Sequence, residues 1–261
     1  MLRALQAGFG DPLGATLLGD LKARGVQMVR LDLQRVPTAP MAYSLIDEAV
    51  RAGLRPLLII LETQAAWFES ALGYDLEILN EPDLAGWRPS HYAEVVREVA
   101  HVLQGRHRLW AGCVSNCTAA KLAWLTNVVG WLPPEIGITV HRYPAQGGRP
   151  TDPQTGFRSR EAEGAAIRAI AGARPWGCSE FGFHSGEQKT GWWFWAKRWR
   201  WTDAQIADFV RQEWAIWAQA GATFACLYQL ADGLSNDPLD RYGIRYATGE
   251  WKPVADTFTQ D

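Results

Sequence analysis

The chain has 261 residues, 48% of them hydrophobic and 21% charged, and a formal net charge of −2. This composition is typical of a globular protein and excludes a largely disordered chain. The small net charge gives no basic field that would attract nucleic acid or a membrane surface, and no apolar run reaches the roughly 18–20 residues needed to span a bilayer. We therefore expect neither a nucleic-acid nor a membrane partner, and we expect a monomer.

The N-terminus and the cysteines say little about location or ligands. The opening "MLRALQAGFGDPLG" lacks a long apolar core followed by small residues, so no signal peptide is visible. A cytoplasmic protein, a trimmed leader and a piece of a larger protein all stay open. Cys113 and Cys117 are spaced C-x3-C without a second Cys or His pair nearby, which argues against zinc. We expect reduced thiols, no metal and no cofactor.

Short apolar, β-branched segments alternate with segments of helical periodicity along the whole chain. The predicted strands are 4–9, 26–33, 55–61, 75–80, 108–114, 136–143, 176–181 and 222–229. The predicted helices lie near 15–24, 41–52, 64–72, 89–104, 118–130, 159–172 and 203–220, with a short last one near 252–259. The helix at 203–220 opens with Thr202-x-x-Gln205, which is a capping box.

Strands that alternate with helices predict right-handed crossovers and a parallel sheet. Eight such units fill residues 1–261, and no linker composition marks a boundary between domains. This count favours a single α/β domain, a closed (β/α)8 TIM barrel, over an open doubly wound sheet. Long loops follow strand six (144–158) and strand seven (182–201), at the barrel face where active sites are built.

Polar residues accumulate at the predicted carboxyl ends of the strands. Taken singly, each fits a turn or a hydrogen-bonded structural residue. Together they place two glutamates, Glu81 and Glu180, at the ends of strands four and seven, across the same barrel mouth. Two facing carboxyl groups are the minimum equipment for glycoside hydrolysis. The other candidates at the mouth are Arg30, Glu77, Asn80, Asn116, His141, Tyr143, Tyr228 and Gln229.

At these residues the sequence resembles a known group of enzymes. "LEILNEPD" (76–83) and "CSEFG" (178–182) resemble the two signature strands of the clan A glycoside hydrolases, and "HRYP" (141–144) resembles the strand-six motif of that clan. The strand-four motif is similar to that of family 39 and then family 5, and the ending "YQLADG…YGIRYATGEWKPVADTF" resembles the end of family 39 members. The likeness covers strands two to eight.

This resemblance implies a (β/α)8 hydrolase that degrades polysaccharides with retention of anomeric configuration. Glu81 would be the acid/base and Glu180 the nucleophile, with the two carboxyl groups about 5–5.5 Å apart. Asn80 would bind the sugar 2-hydroxyl, and Arg30 and Tyr143 would hold Glu180 ionised.

The resemblance gives the remaining candidates supporting roles and leaves the sugar open. His141 would support the acid/base or contact substrate, and Glu77 would be a polar group one layer deeper. Many clan members have a tryptophan at the end of strand eight, where this chain has Tyr228 and Gln229; this departure leaves the identity of the sugar open. Asn116 follows strand five at the same mouth.

Fourteen tryptophans are a compositional anomaly, and five of them fall in "WWFWAKRWRW" (192–201). Because indole faces stack on pyranose rings and this segment follows strand seven, we predict that some of its tryptophans form substrate subsites or a lid, namely some of Trp192, Trp193, Trp195, Trp199 and Trp201. The alternative is a hydrophobic plug between the loop and the barrel.

The function predicted from the sequence is an endo-acting glycosidase on a β-linked oligo- or polysaccharide. The alternative is a carbohydrate-binding barrel without catalysis. A nucleotide-dependent enzyme is excluded, because "GFGDPLG" (8–14) is spaced G-x-G-x-x-x-G and no acidic ribose partner stands outside a strand at the right distance.

Overall fold

The computed structural model describes residues 1–7, 14–71, 73–103, 105–144, 152–190, 197–234 and 240–259. Its strands are β1 (Leu2–Ala7), β2 (Met28–Asp32), β3 (Arg55–Ile60), β4 (Asp75–Ile78), β5 (Arg108–Val114), β6 (Gly137–Arg142), β7 (Trp176–Phe181), β8 (Gln188–Thr190), β9 (Lys197–Trp199) and β10 (Phe224–Leu227). Eight of them are parallel and close into a barrel in the order β1-β10-β7-β6-β5-β4-β3-β2. The predicted (β/α)8 barrel is therefore confirmed. The other two, β8 and β9, form an antiparallel pair in the long connection after β7.

The helices surround this barrel. They are α1 (Ala15–Ala23), α2 (Ala39–Arg51), α3 (Pro89–Leu103), α4 (Ala119–Val129), α5 (Arg160–Ala171) and α6 (Asp203–Ala220), with 3₁₀ helices at Glu62–Phe68 and Pro253–Phe258. At the start of α6, Thr202 and Gln205 form the predicted capping box. In the described part of the chain, we find no helix with the length and apolar character needed to cross a bilayer.

The segment predicted as a third helix at 64–72 is wrong in type and position. It is a 3₁₀ helix, and the side chain of Gln64 anchors its start. The Gln64 Oε1 accepts a hydrogen bond from the Leu61 N–H (2.9 Å), while its Nε2 donates to the Leu33 carbonyl (2.8 Å). The first bond caps the helix, and the second ties it to the segment after β2.

The half of the barrel interior nearer the strand N-termini is an apolar layer. Trp110 and Phe224 meet edge to face there, with ring centroids 5.0 Å apart. A Cβ at Gly137 would lie 2.5 Å from the Trp110 ring, and one at Gly177 would lie 2.6 Å from the Phe224 ring, so both positions need glycine. This layer supports the polar layer above it, and its members are Ala4, Met28, Leu57, Trp110, Phe224 and Cys226.

A second polar cluster lies outside the barrel wall and ties it to two helices. Arg142 on β6 pairs with Glu163 on α5 (3.3 Å) and with Glu213 on α6 (3.5 Å). Arg160 on α5 pairs with Glu213 at 2.7 Å, and the four side chains are at most 5% exposed. Glu163 also accepts a hydrogen bond from the backbone N–H of Gln154 (3.0 Å). The cluster therefore fixes part of the long connection after β6.

We expect Glu213→Gln to lower the free energy of unfolding by about 3–5 kcal/mol, because it leaves buried guanidinium charge without its counter-ion. The matched control is Asp208→Asn on the same helix, which removes an exposed pair with Arg211 and should change stability by less than about 1 kcal/mol. Chemical denaturation of both variants measures the difference. Equal stability losses would contradict this assignment.

Candidate active site

A cleft of about 760 Å³ opens at the carboxyl ends of the barrel strands. Its position is the one predicted for an active site in this fold. Six of the residues predicted from the sequence line it, namely Asn80, Glu81, Tyr143, Glu180, Tyr228 and Gln229. The remaining lining residues are Gln6, Asp32, Arg35, Ile59, Leu84, Ser115 and Tyr242.

Arg30, from β2, is completely buried beneath this cleft and joins several of its residues. Its Nε donates to Glu77 Oε2 (2.6 Å), and its Nη1 donates to Gln6 Oε1 (2.8 Å) and to Glu180 Oε1. Its Nη2 donates to Asn80 Oδ1 (2.9 Å). Burial opposes the charge of the guanidinium, but Glu77 and Glu180 outweigh burial and raise the pKa of Arg30 well above its usual value.

Glu180 ends β7 with its carboxylate held by fixed donors. Besides the Arg30 guanidinium, the Tyr143 hydroxyl donates to Glu180 Oε2 at 2.6 Å, and His141 Nδ1 lies 3.5 Å from the same oxygen. Burial by itself raises the pKa of this carboxyl group. His141, Arg30 and the Tyr143 hydrogen bond reverse that effect and lower the pKa of Glu180 below its usual value. Glu180 is therefore an anion at neutral pH.

Glu81 lies on the turn that follows β4, and its side chain is 25% exposed. Leu79 and Glu81 both have positive φ, 62° and 47°, which is unfavourable backbone for residues other than glycine and is typical of functional sites. This turn places Glu81 Oε1 at 2.9 Å from His141 Nδ1. One carboxylate oxygen of Glu81, one of Glu180 and His141 Nδ1 or Nε2 lie within 4.8 Å of one another.

The turn that carries Glu81 is braced from the next strand. Asp83 accepts hydrogen bonds from the Ser115 backbone N–H (2.9 Å) and hydroxyl (2.7 Å), and it pairs with Lys121 at 2.6 Å. Burial raises the pKa of Asp83, but the bonds to Lys121 and Ser115 more than offset it and lower the pKa. Asp83 therefore stays charged and holds the turn against the start of α4.

His141 is completely buried, and its second ring nitrogen faces a thiol that was not predicted as part of the site. Its Nε2 lies 2.9 Å from Cys113 Sγ. Burial lowers the pKa of His141, but the charge of Glu180 and the hydrogen bonds with Cys113 and Glu81 raise it well above the usual histidine value. Burial raises the pKa of Cys113, so the sulfur is a neutral thiol at ordinary pH and the anionic neighbours of His141 are the glutamates.

Cys113 reaches this position because β5 contains a bulge. The pairing of β5 with β6 shifts between Gly112 and Val114, and Cys113 has φ of 40°. Simple alternation would place Cys113 on the helix-facing side with Ala111, whereas the extra residue turns the sulfur into the barrel. The only signal in the sequence is Gly112 just before it, because glycine inside a strand marks possible bulges.

Three tyrosines form the wall of the cleft beside Glu180. The rings of Tyr143, Tyr228 and Tyr242 meet edge to face, with centroids 5.6–6.1 Å apart. Burial raises the pKa of Tyr242 to about 12. A Cβ at Gly182 would lie 2.9 Å from the Tyr242 ring, so the glycine after Phe181 makes room for this tyrosine. Tyr242 belongs to the ending "YGIRY" and was missed as a site residue because it follows the last strand by a long connection.

The other predicted site residues have different positions. Glu77 is one layer deeper, fully buried against Arg30. Asn116 does not line the cleft, and its Nδ2 donates to the Tyr143 carbonyl at 3.1 Å, which supports the strand end. Trp192, Trp193 and Trp195 lie outside the described residues. Nearby, Trp201 packs edge to face on Phe209 at 5.3 Å, so this member of the tryptophan-rich segment has a packing role.

Two groups of donor atoms converge closely enough to hold a metal ion within the described residues. One consists of Glu81, His141 and Glu180, and the other of Glu77, Cys113 and His141. In both, the buried Arg30 guanidinium already pairs with a glutamate of the group. Arg30 thus supplies the positive charge that a cation would bring, and the donor sets are better suited to hydrogen bonding than to a metal.

Comparisons with known proteins agree with the fold. No protein-family model matches the sequence, and no curated protein sequence is significantly similar to it. A family 39 glycoside hydrolase from Bacteroides cellulosilyticus WH2 superposes with a TM-score of 0.74 at 12% identity, over 98% of this chain and 62% of that one. The chain thus spans less than two thirds of that protein.

Two further structures match most of their own length. Fungal β-1,4-galactanases superpose with a TM-score of 0.71 at 12% identity, over 94% of this chain and 91% of theirs. A β-1,3-glucanosyltransferase from Rhizomucor miehei, solved as an active-site mutant with laminaritriose, has a TM-score of 0.68 at 12% identity, over 97% of this chain and 96% of that one. The neighbours are clan A glycoside hydrolases of several families, and the chain shares their (β/α)8 barrel fold.

Proposed function

We propose that the chain is a retaining glycoside hydrolase that acts on a β-linked oligo- or polysaccharide. The observation that carries the proposal is the pair of carboxylate oxygens of Glu81 and Glu180, which lie within 4.8 Å of each other in an open cleft. Retaining enzymes have carboxyl groups about 5–5.5 Å apart, whereas inverting enzymes need about 6.5–9.5 Å to admit a water molecule.

In this mechanism Glu180 is the nucleophile and Glu81 the acid/base. A Glu180 oxygen attacks the anomeric carbon, the bond from that carbon to the leaving oxygen breaks, and the proton of Glu81 passes to the leaving oxygen. In the second step Glu81 takes a proton from water, the water oxygen attacks the anomeric carbon, and the bond to Glu180 breaks. The donors from Arg30 and Tyr143 keep Glu180 in the anionic form that the first step requires.

Asn80 is oriented to bind the sugar beside the nucleophile. Its Oδ1 accepts from Arg30 at 2.9 Å, so this network turns its amide Nδ2 toward the cleft as a donor. A sugar hydroxyl next to the anomeric centre is the acceptor that fits this donor, and such a bond strengthens in the transition state. His141 holds the carboxyl group of Glu81 at 2.9 Å and supports the acid/base.

The substrate class is proposed from the cleft and from the neighbours. The cleft is open rather than enclosed, and an open cleft admits the interior of a polysaccharide chain, so endo cleavage is part of the proposal. The neighbouring structures include β-1,4-galactanases and a β-1,3-glucanosyltransferase. We therefore propose β-linked galactan and glucan as the first substrates to test, together with xylan and mannan.

A carbohydrate-binding barrel without catalysis is the second candidate, favoured by the three tyrosine rings beside the cleft, which form an aromatic surface suited to sugars. Incubation with the four polysaccharides and product sizing separates the two. Oligosaccharide release of intermediate sizes supports endo hydrolysis. Retention of a polysaccharide on the protein with no cleavage over long incubation supports the binding module.

We expect Glu180→Ala to lower kcat by at least about 10³-fold and Glu81→Ala by about 10²–10⁴-fold with a poor leaving group. Azide then tells the two roles apart by product stereochemistry. In Glu81→Ala, azide attacks the glycosyl-enzyme and gives a β-glycosyl azide. In Glu180→Ala, azide replaces the nucleophile and gives an α-glycosyl azide. NMR of the products measures this difference.

The matched control is Glu94→Ala, which removes a glutamate from the exposed surface of α3 and should leave kcat unchanged. Substantial turnover of an unactivated substrate by either cleft variant would contradict the assignment.

The pH dependence tests the electrostatics of the nucleophile. Tyr143→Phe removes a donor to the carboxylate, so the pKa of Glu180 rises, and the acidic limb of kcat/KM moves to higher pH. At the acidic end we expect kcat/KM about tenfold below wild type, the effect of one hydrogen bond to a charged group. Tyr242→Phe removes a hydroxyl from the same tyrosine group and should leave the acidic limb in place. An unchanged limb in Tyr143→Phe would show that the hydroxyl does not control Glu180.

A further inference from the structure

The barrel interior holds a glutamate that the two-carboxyl mechanism does not use. Glu77 is 0% exposed, and its Oε2 accepts from Arg30 Nε at 2.6 Å. Burial raises the pKa of Glu77, but Arg30 and His141 more than offset this and lower it below the usual value. Glu77 is therefore a permanent anion that substrate in the cleft does not reach.

The charges of the buried layer balance when Glu77 is counted and Glu81 carries the proton that the first step of the proposed reaction requires. Arg30 and His141 are then the two cations, and Glu77 and Glu180 are the two anions beside them. In that first step, Glu180 becomes a neutral ester and Glu81 becomes an anion. The negative charge thus moves from the neighbour of Arg30 to the neighbour of His141, between carboxylate oxygens that lie within 4.8 Å of each other.

We propose that Glu77 is a positioning residue that stays as the counter-ion of Arg30 while the charge of Glu180 is consumed in the glycosyl-enzyme. Arg30 cannot be solvated at that stage, because its side chain is 0% exposed. A buried charge that loses its partner is strongly destabilising. With Glu77 present, two cations face two anions both before and after the first step. This inference rests on the proposed function and adds a role to it.

Loss of the Glu77 charge should change the rates of the two reaction steps in opposite directions. Without the charge of Glu77, the glycosyl-enzyme is destabilised relative to the free enzyme. Formation of the intermediate therefore slows, and its breakdown accelerates. A purely structural role, by contrast, would slow both steps or only reduce the amount of folded protein.

In Glu77→Gln, the acidic limb of kcat/KM should move in the direction opposite to the shift expected for Tyr143→Phe. The charged and titratable groups around Glu180 and its partner Arg30 are Glu77 from β4, Glu81 from the following turn, Cys113 from β5, His141 from β6, Tyr143 just after β6, and Cys226 from β10. Once the charge of Glu77 is removed, Glu180 is the one carboxylate that still pairs with Arg30. The pKa of Glu180 then falls, and the acidic limb of kcat/KM moves to lower pH.

The experiment compares Glu77→Gln with wild type, using 2-deoxy-2-fluoro-β-glycosyl fluorides of glucose, galactose and xylose and of their disaccharides. Inactivation measures formation of the intermediate, and reactivation after removal of excess reagent measures its breakdown. We expect inactivation to be roughly 100-fold slower and reactivation faster, the effect of an unpaired buried charge. Glu213→Gln, which unpairs buried arginines outside the barrel wall, controls for lost stability and should keep the wild-type ratio of the two rates.

Glu77→Asp keeps the charge at a longer distance and provides the readout if Glu77→Gln does not fold. It should show the same changes in both rates to a smaller degree. If the folded Glu77 variants keep the wild-type rates and an unmoved acidic limb, the role proposed for Glu77 is overturned and the proposed function is not. A wild-type protein that neither cleaves the polysaccharides nor reacts with any fluoride would overturn the proposed function as well.

Discussion

The pairing of the Arg30 guanidinium with two buried glutamates is the interaction on which the rest of the site depends. A guanidinium is charged at every ordinary pH, so its burial requires anions and acceptors on several sides at once. Glu77, Glu180, Gln6 and Asn80 meet this requirement, and each thereby has a fixed orientation. Because the donors of arginine point in fixed directions, they fix the relative positions of these four side chains, which come from three strands and one turn.

The apolar layer beneath Arg30 explains how such a polar layer is tolerated. Trp110 and Phe224 fill the barrel near the strand N-termini, in space that Gly137 and Gly177 leave free. Close packing there excludes water from below, so the charges above meet water only through the cleft. Their mutual interactions are therefore stronger than on the surface. The division between layers follows β2, β6 and β7, which pass from apolar or small residues to Arg30, His141 and Glu180 toward their carboxyl ends.

Much of this arrangement is predictable from sequence because it follows simple periodicity. Alternating elements indicate the barrel, and strand ends then bring Arg30, His141 and Glu180 to the same mouth. Three features do not follow the periodic pattern. Cys113 and Glu180 each come at a bulge in their strand, Tyr242 arrives from a connection beyond the last strand, and Gln64 bonds to the distant Leu33 carbonyl. Each depends on tertiary contacts that no local pattern contains.

The two carboxyl groups of the cleft lie in opposite surroundings, and the difference matches what the proposed mechanism asks of them. Glu180 lies in β7 just after a bulge at Ser179 and is surrounded by donors, so its charge and position are constant. Glu81 lies on a turn with positive φ at two residues, is partly exposed, and is braced through Asp83. A group that gives a proton to one oxygen and takes one from water needs contact with solvent between the two steps. The unfavourable backbone conformation of the turn places the carboxyl group of Glu81 there, beside His141 and within reach of Glu180.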